Sequence, residues 1–461
     1  MSKQNVIAIF DVGKTNKKLF LFDQEYKMVY EETTQLEEIK DEDGFPCEDV
    51  EVLTSWLKNS FKKILKDDRF QIKAVNFSGY GASLVYLDQQ LNVIPPLYSY
   101  LKPYPPQLRE RFYNTYGGES LVAKKTASPV LGNLNSGMQL YRVKYEKPEV
   151  FAKIKYALHL PQYLSFIISG AIGSDITSIG CHTNLWDFQN NEYHSWVKKE
   201  GIETKLAPVM PSDAIAAYID GDLPVGIGLH DSSAALIPYL ISFNEPFLLL
   251  STGTWCITFN PFNNKPLTDF ELEQDCLCNL SYKGEWVKSS RLFAGYEHEQ
   301  QIKKLEKYFN KPADYYKTVQ FDLHLYNNLQ PVKTFSDKNM VDAMIGQSNF
   351  GKRDLKEFHS YKEAYHQLIT DIIEQQISSV KLLMNDNLIK KLFVDGGFSK
   401  NEIYMNLLAK AFPEMQVFSS SLPQASALGA ALAIHKFWNS KPIPAGIFDL
   451  KSYSILQDVN V

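Results

Sequence analysis

The stretch Val6-Ile7-Ala8-Ile9-Phe10-Asp11-Val12-Gly13-Lys14-Thr15 decides how the rest of the chain is read. Its apolar half is β-branched or aromatic at all positions but Ala8, as a β-strand requires. A tight polar turn follows, and Lys18 to Phe22 then forms a second apolar strand. The same pattern returns at mid-chain. Phe247-Leu248-Leu249-Leu250 runs into Ser251-Thr252-Gly253-Thr254, and Cys256 to Phe259 completes the pair. Two unrelated hairpins would also use Gly and small polar residues in their turns. The two turns, however, stand at the starts of the two halves of the chain, which favours a duplicated domain. The boundary expected from this repeat lies near residue 240, with one domain at 1–240 and a second at 241–461. A chain of 461 residues is also too long for one ordinary core.

Outward from these strands the signals alternate. Val52, Leu53, Trp56, Leu57, Phe61, Ile64 and Leu65 recur at helical spacing and predict an amphipathic helix over 49–66. Ala74 to Phe77 reads as a short strand ending in Ser78-Gly79-Tyr80-Gly81. Leu368, Ile369, Ile372, Ile373, Ile377 and Val380 mark a long helix that leads to the strand Lys391 to Val394. Strands alternating with helices give an α/β fold class. Segment 331–360 is polar and poorly periodic, and is expected to be a surface excursion.

Composition narrows the function. Hydrophobic residues make up 44% and charged residues 22%, ordinary for a globular protein. Lysine and arginine number 48 against 53 acidic residues, so the basic excess of a nucleic-acid binder is missing. No apolar run approaches the roughly 20 residues of a membrane helix. The apolar segment before Asp11 is too short for a signal-peptide core. A cytoplasmic protein is therefore expected. The five cysteines are scattered, and no second pair or nearby His cluster completes a zinc site, so reduced, packed thiols are expected.

Three glycine turns carry the candidate chemistry. A phosphate needs backbone N–H groups that approach closely, hydroxyl donors and often a cation. Gly13 and Gly253 permit close approach, while Thr15, Thr252 and Thr254 supply hydroxyls. No P-loop motif occurs. Asp395-Gly396-Gly397-Phe398-Ser399-Lys400-Asn401 joins a strand to a helix beginning near Asn401, either as plain turn chemistry or as a bed for a flat base. Ala425-Ser426-Ala427-Leu428-Gly429-Ala430-Ala431 gives a helix with a small-residue face that packs closely on whatever lies beneath.

The order of these pieces resembles the FGGY carbohydrate kinases, of the actin, Hsp70 and sugar kinase superfamily, from about Val6 to about Trp438. That resemblance implies two ribonuclease-H-like, actin-like ATPase domains with ATP and a sugar in the cleft between them. It also implies that Asp231, in Gly228-Leu229-His230-Asp231-Ser232, is the catalytic base. A helix N-cap is the plainer role for this aspartate, and both can hold at once. His230-Asp231 and Gly253-Thr254-Trp255 are most similar to the L-rhamnulose and L-fuculose kinases, as is Leu158-His159-Leu160-Pro161-Gln162-Tyr163-Leu164. Packing alone is the plainer role for Trp255 and His230.

On this resemblance Asp11 orients Mg²⁺, through water. Gly13, Lys14, Thr15, Asn16, Ser251, Thr252, Gly253 and Thr254 cradle the phosphates. Gly396, Gly397, Asn401 and Gln300 bound the nucleotide, and Tyr80, Gly81, His230 and Trp255 line the sugar pocket. Departures bear on the substrate. Ser78-Gly79-Tyr80-Gly81 stands where xylulose and glycerol kinases carry Gln-Met-His-Gly or Gln-Arg. Ser83 stands where rhamnulose and fuculose kinases often place an acid. Lys14 replaces the usual small residue of the first turn. The expected reaction is ATP-dependent phosphorylation of a ketose, a six-carbon deoxyketose before D-xylulose or D-ribulose. An ATP-driven conformational protein or a sugar sensor on the same fold is the rival from another class. Sugar and ATP are the expected partners, and a homodimer is left open.

Overall fold

The computed structural model describes residues 3–329, 350–384, 389–422 and 424–454, which build two seven-stranded sheets. The first uses β1 (Gln4–Val12), β2 (Lys17–Asp23), β3 (Met28–Thr34), β4 (Phe70–Gly79), β5 (Ile215–Ile219), β6 (Leu223–Gly226) and β7 (Leu229–His230), ordered β5-β6-β4-β1-β2-β3 with β7 beside β4. The second uses β8 (Phe247–Thr252), β9 (Cys256–Asn260), β10 (Cys276–Leu280), β11 (Trp286–Leu292), β12 (Lys391–Gly396), β13 (Gln416–Ser421) and β14 (Asp449–Tyr453), ordered β10-β11-β9-β8-β12-β13-β14. In both, the first strand runs antiparallel to the second and parallel to the strand that follows a long helix. Matching topologies carry the repeat seen in the sequence into three dimensions.

Val6 to Phe10 are all fully buried, because both faces of β1 are covered. Val6, Ala8 and Phe10 join a core with α1 (Val50–Leu65) and α2 (Leu160–Ser169). Ile7 and Ile9 face the other way, into a core shared with the second half: Phe247 and Leu249 of β8, Ile237 of α3 (Asp231–Ser242) and Ala430 of a late helix. Each such side chain contributes roughly 1.5–3 kcal/mol on burial. The opposite face of β8, Leu248 and Leu250, packs under α5 (Tyr361–Lys381), which follows α4 (Ala294–Tyr308).

Asp49 caps α1 by accepting the Glu51 and Val52 N–H groups at 3.0 and 3.1 Å. The buried stripe of α1 is Val50, Leu53, Leu57, Phe61 and Ile64, whereas Val52 and Leu65, counted in the apolar pattern, are exposed. Asn401 caps α6 (Glu402–Ala411) through the Tyr404 N–H at 3.1 Å. The small-residue helix is α7 (Ala425–Ala433), and what lies beneath it is α3. A Cβ added at Gly429 would fall 1.8 Å from the Ala234 carbonyl oxygen, so the two helices touch backbone to backbone. The segment expected as a surface excursion is partly core. Phe350 and Phe358 are buried against Tyr361, while 331–349 lie outside the described residues. All five cysteines are buried and free. Among the described residues no helix is long and apolar enough to cross a membrane.

Candidate active site

Strand register gathers the chemistry at two sheet ends. Asp11 on β1 and Leu229 on β7 both pair with Ser78 of β4, and His230 pairs with Gly79. These three strands are parallel, so Asp11, Tyr80-Gly81 and His230-Asp231 emerge together at their carboxyl ends, where open α/β sheets bind ligands. In the second sheet Ser251 pairs with Asp395 and Thr252 with Gly396 on parallel strands, bringing two glycine turns together in the same way.

Tyr80, Gly81, His230, Asp231 and Trp255 all line one cavity of about 560 Å³ between the halves. Asp231 is the first residue of α3 and a wall of the cavity, but the helix N-cap is His230 and not Asp231: His230 Nδ1 accepts the Ser232 N–H at 3.2 Å, and Asp231 Oδ1 accepts the same N–H at 2.6 Å. A Cβ at Gly81 would lie 2.3 Å from His230 Nε2, which is why a glycine stands there. Trp255 packs on Phe293 with ring centroids 4.5 Å apart and lies under the Arg291 guanidinium at 5.3 Å. Asp275 holds that guanidinium through two bonds of 2.9 and 2.5 Å. Tyr100, Leu131, Leu134 and Ile257 complete an apolar wall, and Cys181 and His182 lie on its polar side. Burial, then His230, pushes His182 down to about 3, which keeps its ring neutral.

The two turns are held differently. In the first, the Gly13 N–H bonds Asn16 O at 3.0 Å, and the buried Lys17 ammonium donates to Gly13 O at 3.2 Å and Lys14 O at 3.0 Å. Lys17 is neutralised by the buried Glu48 carboxylate at 2.6 Å. Lys14 itself pairs with Glu38 at 2.5 Å, and the Asn16 Oδ1 accepts Gln35 Nε2 at 3.0 Å. Thr15 is exposed. In the second turn the closeness is backbone to backbone. A Cβ at Gly295 would lie 1.8 Å from Gly253 O, and one at Gly396 (φ +87°) would lie 2.0 Å from Thr252 O. The Thr252 hydroxyl donates to Asp395 O and accepts the Phe398 N–H at 3.0 Å, tying the two glycine turns together.

A second cavity of about 750 Å³ opens beside them, lined by Thr252, Gly253, Gly295, His298, Gly397 and Asn401 among others. Asp11 lines neither of these cavities. Its Oδ2 accepts the Ser426 hydroxyl of α7 at 3.0 Å. Burial first, then the Asp231 carboxylate, pushes Asp11 up to about 6. Two carboxylates that repel each other at a buried strand end form a hard-oxygen donor set, and a hydrated Mg²⁺ fits it.

The first part of the chain, residues 6–237, matches the FGGY family of carbohydrate kinases, N-terminal domain, and residues 244–328 match the FGGY C-terminal domain. The chain belongs to the FGGY carbohydrate kinases. A rhamnulokinase of Halalkalibacterium halodurans is 21% identical over an alignment of 484 positions that covers 97% of this kinase and 98% of the relative. A rhamnulokinase of Mannheimia succiniciproducens is 24% identical over 271 positions, and there the chain spans about half the relative's length, 54%. A solved carbohydrate kinase from Novosphingobium aromaticivorans shares the fold, with a TM-score of 0.78 at 21% identity, covering 99% of this chain and 95% of its own.

Within this FGGY kinase, the structure brings Tyr80, Gly81, His230, Asp231 and Trp255 to one cavity and Thr252, Gly253, Gly397 and Asn401 to the other. Gln300 is on α4 but lines neither cavity; His298, on the same helix, does. Lys14 is turned toward Glu38. Gly253 has room for a side chain, with Trp255 O the nearest atom to an added Cβ at 3.7 Å. The glycines that geometry requires at this turn are Gly295 and Gly396. Arg291, His182 and Lys17 were not singled out as site residues in the sequence, because their partners are far away along the chain. The scattered cysteines and histidines also do not stay scattered. Cys181, His182 and His230 place one potential ligand atom each within 4.8 Å of one another.

Proposed function

We propose that this FGGY kinase transfers the γ-phosphoryl group of ATP to a hydroxyl of a ketose, with a six-carbon deoxyketose such as L-rhamnulose or L-fuculose as acceptor. The observation that carries the reading is Asp231, fixed at the head of α3 and opening on the same cavity as Tyr80, His230 and Trp255. With Oδ1 engaged by the Ser232 N–H, Oδ2 is left to take the proton of the attacking hydroxyl. When bound, Mg²⁺ would supply neutralisation of phosphate charge, and Asp11 would be the residue to hold it. The turn Gly13 to Asn16 and the turn Ser251 to Thr254 take the phosphates from two sides, with Lys14 free to do so only on leaving Glu38. Gly397, Asn401 and His298 bound the nucleoside in the cavity beside the second turn, with Gly396 immediately before them on β12. The α3–α7 contact serves as the pivot on which the halves close and exclude water.

The apolar wall of Tyr100, Leu131, Leu134 and Ile257 favours a terminal methyl group over a terminal hydroxyl. The rhamnulokinase relatives point the same way. His182 and Arg291 on the polar side are the observation that favours the pentulose alternative, D-xylulose or D-ribulose. A methyl in a good pocket is worth about 1–3 kcal/mol, so the preference is modest. Sugar-dependent ADP formation across a ketose panel, compared by kcat/KM, tests it. L-Rhamnulose or L-fuculose should lead. A tenfold or greater advantage for D-xylulose or D-ribulose would overturn the substrate, and ADP formation indifferent to any sugar would overturn the kinase reading itself.

A further inference from the structure

The sugar cavity holds a second set of chemistry that phosphoryl transfer does not call for. Cys181, His182 and His230 each offer one ligand atom, a thiol sulfur and two imidazole nitrogens, all within 4.8 Å of one another. Cys181 and His230 are buried, at 2% and 4% exposure, yet all three residues line the cavity. We propose that Cys181, His182 and His230 form a binding site for a borderline-soft divalent cation, Zn²⁺ or Co²⁺, on the wall of this cavity.

Donor chemistry selects the ion class. One sulfur and two nitrogens suit Zn²⁺, whereas Mg²⁺ demands oxygen ligands, so this site is separate from the one at Asp11. Zinc–ligand distances of roughly 2.0–2.3 Å place tetrahedral ligand atoms somewhat under 4 Å apart, and a rotamer adjustment closes the remainder. The hydrogen bond behind the His182 ring has the form that ligating histidines use. His182 Nδ1 lies 3.2 Å from Leu134 O, and donating to that carbonyl leaves the Nε2 lone pair free. His230 Nδ1 accepts the Ser232 N–H at 3.2 Å and lies 3.4 Å from Asp231 Oδ1, so ligation through Nε2 requires the ring proton to move to Nδ1, beside that carboxylate. If Nδ1 carries the proton, the Ser232 N–H remains satisfied by Asp231 Oδ1 at 2.6 Å. The His230 ring packs against Gly81, where an added Cβ would lie 2.3 Å from Nε2, so only a glycine spares that nitrogen a direct clash.

The backbone offers an independent sign. His182 has φ +43°, a left-handed conformation uncommon for a residue with a side chain, and it lines the cavity beside Cys181. The two rings meet edge to face with centroids 6.2 Å apart. Three protein ligands leave a fourth position, which opens into the cavity and takes water. The thiol gives up its proton to solvent when the ion binds, since only the thiolate ligates. An ion so placed holds His230, the neighbour of Asp231, in a fixed tautomer.

The test is spectroscopic and needs no sugar. Co²⁺ is titrated into the full chain, free of added histidines, and a thiolate-to-cobalt charge-transfer band with tetrahedral d–d bands is followed. The bands should saturate near one equivalent and be bleached by Zn²⁺. Cys181→Ser should abolish the charge-transfer band, and His182→Asn should weaken binding by about tenfold or more. Thermal melts of both variants confirm that they are folded. No charge-transfer band in the unsubstituted chain, or an unchanged band in folded Cys181→Ser, would overturn the site. Because ion binding is read directly, the outcome does not depend on which sugar the cavity accepts.

Discussion

The two halves share a topology and hold their glycine turns by opposite means. In the first half the turn after β1 is braced by side chains: the Lys17 ammonium grips two turn carbonyls and is neutralised by Glu48. In the second, the turn after β8 is braced by backbone, with Gly295 and Gly396 pressed on the carbonyls of Gly253 and Thr252. The titratable chemistry follows the same division. The carboxylates Asp11 and Asp231 belong to the first half, while the second brings the Arg291 guanidinium to one cavity and His298 with small residues to the other. A duplicated fold thus fixes where a site forms, at parallel strand ends, and leaves each copy to meet its electrostatic needs separately.

The largest expected effect comes from removing the charge on the first side. Asp231→Asn keeps the shape and the Ser232 contact but loses the proton acceptor, so turnover should fall roughly 10²–10⁴-fold with nucleotide binding retained. Turnover within a few-fold of the unsubstituted enzyme would remove Asp231 from its role. Next is the side-chain brace. Lys17→Met leaves the buried Glu48 with only the more distant Lys14 ammonium, 3.9 Å away, and should cost up to about 3–5 kcal/mol in denaturant unfolding. The double change Lys17→Met with Glu48→Leu should recover most of that loss. If the single change is silent, the first turn is not held by this pair.

The second half should respond to a single carbon. Gly295→Ala drives a Cβ into Gly253 O and should cost about 1–3 kcal/mol. Gly253→Ala meets nothing closer than 3.7 Å and should leave stability within about 0.5 kcal/mol. Any fall in ATP affinity by calorimetry for Gly253→Ala therefore reports ligand approach and not a damaged fold; unchanged affinity would make this turn a mere hairpin. The smallest effect sharpens the electrostatic contrast. Asp11 is pushed up to about 6, so the folded state binds a proton more readily than the unfolded chain between about 4 and 6. Its contribution to stability is therefore most favourable below this window and diminishes as pH rises through 6. Asp11→Asn should raise Tm above pH 6, where the carboxylate is charged, and change it little below pH 4, while Mg·ATP-dependent turnover is lost. A lower Tm above pH 6 would show that the charge is not a burden in the fold.

Much of this was legible along the chain because it is local. The apolar run at Val6 to Phe10, the helix at 49–66 and the glycine turns each carry their own pattern. Asp231 was legible too, through its neighbours. What stayed hidden depends on contacts between distant segments. The Lys17–Glu48 pair joins a strand to a separate hairpin, and charge pairing across the fold has no period. Gly295 looks unremarkable until β8 and α4 meet. Phe350 and Phe358 are too widely spaced to mark a helix, yet both reach the core. Gln300 and His298 differ by about half a turn of α4, a rotation that sequence spacing alone leaves undetermined.

The close contact of α3 with α7 also bears on biosynthesis. Helix α7 packs on β1, β2 and β4, so strands of the first half are covered by a helix about 400 residues later in the chain. At about 5–20 residues per second, synthesis of the chain between β1 and Ala433 takes on the order of a minute. Through that interval the Ile7, Ile9 and Phe20 face lacks part of its native cover. The first half therefore cannot mature alone while the second is being made. Its exposed strand face is a natural client surface for a chaperone until α7 has been made.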